Sequence, residues 1–196
     1  KLADTPYETS AKEITGYTLK EEPTNKNGNY IEGNIDVIYY YTKNDGNITE
    51  NELVKEGTEF VSNINDTFSY ALKYTGKVEE YVGKATLTIT DTLPGAIIEN
   101  ESTLNGGVYN SEKNTITWTK TYSITEYQSV YTVSERINYT VKYQDYLSKN
   151  GSNLINTVYG NTTVSHENVE DKITSGKEDT ATVPVEIKGT VTVYFK

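Results

Sequence analysis

Ala85-Thr86-Leu87-Thr88-Ile89-Thr90-Asp91 alternates apolar residues with threonine at a period of two. Successive side chains of a strand point to opposite sides of its sheet, so this pattern predicts a strand with one buried face. Ala85, Leu87 and Ile89 share the inner face, and the same parity carries Asp91 with them. The stretch therefore predicts an all-β fold together with a carboxyl aimed at its core.

Neighbouring stretches repeat the pattern. Phe68, Tyr70, Leu72 and Tyr74 alternate with other residues ahead of it; Ile116 and Trp118, Val133 through Tyr143, Leu154 through Val158, and Val183 to Ile187 follow. Several short strands separated by turn residues indicate a β-sandwich. Thr, Tyr, Val, Ile and Asn dominate the composition, as pleated, half-buried strands require. With 18 Tyr against 3 Phe, the aromatic residues are expected at the sheet surface, one edge wet, over a thin aliphatic core.

At 196 residues the chain reads as two unequal domains. Residues 1–43 form a small unit, with a turn at Asn25 to Asn29 and a strand from Ile35 to Tyr41 whose Ile35, Val37, Tyr39 and Tyr41 share a face. The polar, turn-rich residues 44–52 read as the boundary. A larger domain occupies 44–184, its first strand opening near Leu53. Residues 185–196 read as an exit linker around Pro184 followed by another alternating strand, Gly189 to Phe195.

A net charge of −10 opposes nucleic acid and anionic lipid, which need clustered Lys and Arg. With no Cys the chain offers no disulfide and no thiolate metal site, and its single His, His166, lies in the polar stretch Ser165-His166-Glu167-Asn168 and reads as surface, against a His-based triad or a multi-histidine metal site. The Asn25–Asn29 and Asn44–Asn47 turns supply too few carboxylates for calcium. The expectation is a non-enzymatic chain without cofactor or metal. No apolar run approaches the ~20 residues that span a bilayer, and the chain reads as an excised or mature extracellular segment, at the cell surface or attached to the cell wall.

Two further polar groups repeat the oddity of Asp91. Asn156 shares a face with Leu154 and Val158, and Lys55 shares parity with Leu53. Burial disfavours charge, so a buried Lys tends to lose its proton and a buried carboxyl to keep one. A neutral Lys55 amine beside the Asn156 amide could attack its carbonyl while protonated Asp91 polarises it and moves protons, giving an isopeptide bond and ammonia. Glu135, on the apolar face with Val133, Ile137, Tyr139 and Val141, is the rival acid; Asp91 is preferred. The plainer alternative has Lys55 reaching water, Asp91 capping the turn before Pro94 and Asn156 bonding to backbone. Lys73 and Lys77 read as solvated.

The segments Lys55-Glu56-Gly57-Thr58, Thr90-Asp91-Thr92-Leu93-Pro94, Asn105-Gly106-Gly107 with Thr115 to Thr119, and Asn156-Thr157-Val158 resemble, in order and separation, the isopeptide-forming Ig-like domains of Gram-positive adhesins and pilins, particularly the collagen-adhesin type. The resemblance covers most of residues 53–183. It implies an Ig-like sandwich in which a first-strand Lys joins a last-strand Asn beside an Asp or Glu. Gly16-Tyr17-Thr18-Leu19 and Gly33 to Tyr41 resemble a MucBP-type module, a small β-grasp-like unit of bacterial surface proteins. Such modules usually open with a strand like Gly-x-Val-x-Val-x-Tyr, which here stands at Gly189 to Tyr194. That placement suggests head-to-tail strand donation between neighbouring copies or adjacent repeats; a repeat cut from a longer protein accounts for it equally.

The expected function is a structural stalk or filament segment of a bacterial surface protein, strengthened by a Lys55–Asn156 bond. A ligand-binding adhesin that recognises a host protein or glycan through exposed tyrosines is the alternative.

Overall fold

The computed structural model describes every residue except 1–3, 45, 64–65, 146–149, 167–168, 174–175, 190 and 194–196. The described chain is all-β apart from one short 3-10 turn at Glu99–Glu101. Four short strands come first: β1 (Pro6–Glu8), β2 (Tyr17–Glu21), β3 (Asn27–Asn29) and β4 (Tyr40–Lys43). The large sheet contains β5 (Asn47–Gly57), β6 (Phe68–Thr92), β7 (Val108–Asn110), β8 (Thr115–Val141), β9 (Asn153–His166), β10 (Val169–Ile173) and β11 (Lys177–Pro184).

Four of the expected strands are halves of two. β6 and β8 pair antiparallel along their whole length, from Phe68 opposite Val141 to Thr92 opposite Thr115. At ~3.3 Å per residue a strand of this length would run on the order of 80 Å if straight, so the ribbon has to curl. A register shift between Tyr81 and Gly83 marks an irregularity in the ladder, of the kind that sharpens bend and twist. Glycine is required there, since a Cβ would lie 2.4 Å from the Tyr81 hydroxyl oxygen.

The outer edge of β6 is shared: its first half takes β5 and its second half takes β9, which in turn carries β10 and β11. The curled sheet brings its halves face to face. Trp118, from the first half of β8, lies 5.0 Å from the Tyr139 ring of the second half. The Tyr74 hydroxyl reaches Thr162 of β9 at 2.7 Å.

Ala85, Leu87, Ile89 and Asp91 are all buried, as their alternation predicts. The core is less aliphatic than expected, because Tyr70, Tyr74, Tyr81, Tyr139 and Tyr143 are buried with Phe68 and Trp118. Buried phenols need partners, and these have them: Tyr70 meets Tyr143 at 3.3 Å, and Tyr81 donates to the Lys84 carbonyl at 3.1 Å.

Three segments differ from the sequence reading. Residues 47–52, read as boundary, form the start of β5, where Ile48 packs against the core and a register shift follows it. Their polarity is that of an edge strand, whose outer face meets water. The expected exit linker begins too early: Val185 is buried and forms a parallel bridge with Val61, whose amide donates to the Pro184 carbonyl at 3.0 Å. Residues 191–193, expected in a strand, belong to none; Val191 is 88% exposed.

In the small unit β1 pairs with β3 and β2 with β4. Ile35, Val37, Tyr39 and Tyr41 are half-buried while Asp36, Ile38 and Tyr40 are exposed, so the expected face is real. Only Tyr40–Lys43 joins a ladder, however. Residues 35–39 alternate without forming part of a sheet, because alternation reports one-sided packing and says nothing of a hydrogen-bonded neighbour.

Candidate functional site

Asp91 and Asn156 lie on neighbouring strands of one half of the sheet. Asp91 stands opposite Val158 in the β6–β9 ladder, and Asn156 is two residues along, on the same face. This diagonal spacing lets longer side chains touch. Lys55 comes from the facing half, where it pairs with Leu72; its side chain crosses the core. All three residues are buried.

The Lys55 amine is paired with Asp91 Oδ1 and lies 3.2 Å from the Tyr139 hydroxyl. Tyr139 donates to Asp91 Oδ2. Asn156 Nδ2 lies 3.3 Å from both Asp91 Oδ2 and the Tyr139 hydroxyl, while Asn156 Oδ1 is buried without a hydrogen-bond partner. The Tyr70 ring, 4.8 Å from the amine, closes the cluster and stacks against Tyr139 at 5.3 Å.

Burial pulls the Lys55 amine down to about 8, against the opposing pull of Asp91. Burial also raises Asp91, although Lys55, Tyr139 and Asn156 resist. Both shifts lead toward a neutral amine beside a neutral acid, the protonation that nucleophilic attack requires. Tyr139 is pushed far above the usual phenol range, first by burial and then by Asp91, so its hydroxyl stays a donor.

The three preferred residues thus meet, and the plainer reading of them as separate surface or capping groups does not describe their positions. Glu135 does not join them. It lies on β8, two strands from Lys55, where Lys120 and Tyr122 bind its carboxylate. Burial would raise it, but the Lys120 and Tyr122 bonds outweigh that and hold it low. Since the Lys120 partner is exposed, Glu135→Gln is expected to change stability by less than about 1 kcal/mol. Its intact mass should show the same cross-link yield as the unaltered chain.

Two contributors were not read from the sequence as site residues. Tyr139 figured only as a neighbour of Glu135 on the apolar face, although that inward parity on a core strand is the signal that could have found it. Asp179, on β11, accepts the Lys55 backbone N–H at 2.6 Å and ties β11 to the edge of β5. No local pattern marks it. Asn156 is also not on the last strand, since β10 and β11 follow β9.

The described chain is thus all-β, with a cross-core cluster of Lys55, Asp91 and Asn156 and a small unit of short strands ahead of it. Residues 1–42 match the family model of the MucBP domain. Over 118 residues, 60% of this chain, the sequence is 31% identical to Internalin J of Listeria monocytogenes serotype 4b (strain F2365), and the match spans 12% of that protein. A crystal structure of the major pilin subunit of Bacillus cereus aligns over 91% of this chain and 54% of its own, at 15% identity and a TM-score of 0.35. The MucBP match carries the resemblance read from the N-terminal residues. With the Listeria relative, it supports the general kind expected, a surface protein of a Gram-positive bacterium.

Proposed function

We propose that the chain is a load-bearing extracellular segment, a stalk or filament element, whose larger domain staples itself with an isopeptide bond between Lys55 and Asn156. One observation supports this above the rest: the Lys55 amine and the Asn156 amide both contact Asp91 and Tyr139 inside a core from which water is excluded.

The step balances without any other reactant. Asp91 takes a proton from the Lys55 ammonium, giving a neutral pair. The freed Nζ lone pair adds to Asn156 Cγ, and the carbonyl π pair moves to Oδ1. Asp91 gives its proton to Nδ2 and receives one from Nζ. The Cγ–Nδ2 bond breaks, the carbonyl re-forms and ammonia leaves. The test is a proteolytic digest read by tandem mass spectrometry. A branched peptide joining residues 55 and 156 is the expected product, and a digest holding only linear peptides from both regions refutes the bond.

The titration of Lys55 supplies a second check. In an Asn156→Ala chain no bond can form, and the amine keeps a folded value near 8 against 10.5 unfolded. Between those values the unfolded chain binds more protons, so stability rises with pH, by at most about 1.4 kcal/mol per unit. Urea midpoints from pH 8 to 10 should therefore climb in Asn156→Ala relative to a Lys55→Met, Asn156→Ala chain. The unaltered protein, its Lys55 nitrogen now an amide, should lack that climb.

Head-to-tail association through residues 190–195 is a further part of the proposal. It is favoured by residues 35–39, which present the half-buried Ile35, Val37 and Tyr39 but take part in no described ladder, and by the exposure of Val191 and Val193. An extended segment can pair with such an unpaired stretch and extend the neighbouring sheet. Light scattering should show concentration-dependent growth that a chain ending at Lys188 loses.

A further inference from the structure

We infer that Tyr139 is a fourth participant in the bond-forming chemistry, its hydroxyl donating to the Asn156 oxygen while Lys55 adds; this deepens the cross-link reading and rests on it. Addition places a full negative charge on Oδ1 in a buried site, where preorganised donors have their largest effect. Oδ1 has no partner at present. A half-turn of the amide about its Cβ–Cγ bond puts Oδ1 where Nδ2 stands, 3.3 Å from the Tyr139 hydroxyl and from Asp91 Oδ2; in the adduct Nδ2 shares its carbon with Nζ, which faces Asp91 Oδ1, so the acid still reaches the departing nitrogen through that oxygen.

Those two neighbours are not equivalent. Asp91 has to pass a proton to the departing nitrogen and take one from Nζ, so it cannot remain a donor to the oxygen throughout. Tyr139 can, because burial and the adjacent Asp91 keep its proton in place. Its hydroxyl also lies 3.2 Å from the attacking nitrogen; once Asp91 holds the proton taken from Lys55, Tyr139 no longer has to donate to that carboxylate, and its single hydrogen is free to turn to the oxyanion. Tyr70 is the natural comparison: its ring also covers the amine, but its hydroxyl is shared between Tyr143, at 3.3 Å, and Asn156, and makes no described hydrogen bond to the attacking amine. Tyr139 thus supplies the oxyanion donor, and no atoms are added to the balance above.

The test follows ammonia loss by intact mass at successive times after a short pulse of cell-free synthesis. Tyr139→Phe keeps the ring against Tyr70 and Trp118 and removes one hydroxyl; bond formation should slow roughly 100-fold. Tyr143→Phe removes a buried hydroxyl that touches no reacting atom and should cross-link at the unaltered rate. A ring-fluorinated tyrosine at 139, a stronger donor of nearly the same size, should cross-link faster than the unaltered chain, and it decides the question if Tyr139→Phe fails to fold. An unchanged rate in Tyr139→Phe, equal slowing in Tyr143→Phe, or no acceleration with the fluorinated ring overturns the role of Tyr139 while the cross-link stands. Absence of ammonia loss in the unaltered chain removes the cross-link itself, and Tyr139's role with it.

Discussion

Lys55→Met is expected to restore the ammonia missing from the unaltered chain's mass and to lower stability by about 4 to 5 kcal/mol, by analogy with a disulfide closing a loop of about 100 residues. In a chain of this size that corresponds to a fall in Tm of roughly 10 to 20 °C. Methionine fills most of the space of the lysine stem, so little of the loss comes from a cavity. Asp91 is left without its amine, but it can hold a proton and keep Tyr139 and Asn156 as partners. The loss therefore reports the covalent tie between the facing halves of the sheet. Intact mass and thermal unfolding check it together; an unaltered chain at its full uncorrected mass, with a Tm equal to that of Lys55→Met, sinks the idea.

Asp91→Ala should be worse. It removes the proton carrier, so no bond forms, and it strands the Lys55 amine in the core beside the Tyr70 and Tyr139 rings. Removing one partner of a buried ion pair costs roughly 3 to 5 kcal/mol, in addition to the missing cross-link. The ordering expected from urea denaturation at pH 7 is unaltered chain, then Lys55→Met, then Asp91→Ala. Adding Lys55→Met to Asp91→Ala should recover much of the second loss, since it removes the stranded amine; no recovery would refute the claim that the amine is the source.

The physics of such a tie suits a segment under tension. Lys55 lies on β5 and Asn156 on β9, strands that each pair with a different half of β6. The proposed covalent link between them would span the core, so force applied to β5 would reach β9 without first peeling hydrogen bonds from the sheet. Asp179, which joins β11 to the Lys55 backbone, reinforces the same edge.

Much of this could be read along the chain. Alternation at Ala85 to Asp91, at Leu154 to Val158 and at Leu53 with Lys55 gave the all-β class and put three polar side chains on inward faces, because the period of a strand is a local property of its backbone. Parity cannot tell a long strand from two short ones. Nothing between Tyr74 and Ala85 marks the ribbon as continuous, and the two alternating stretches read as separate strands where the chain has a curl.

The choice between Asp91 and Glu135 shows the same boundary most clearly. Both are carboxylates on inward-reading faces, and the residues around each are equally apolar. They are separated by which strand borders which. Asp91 stands one strand from Asn156, across the core from Lys55, whereas Glu135 falls where Lys120 and Tyr122 can reach it. Which side of a strand a residue faces follows from its immediate neighbours in the chain; which residue it meets there depends on how β6 and β8 curl and on what pairs with their edges, contacts made between segments tens of residues apart that no local repeat encodes.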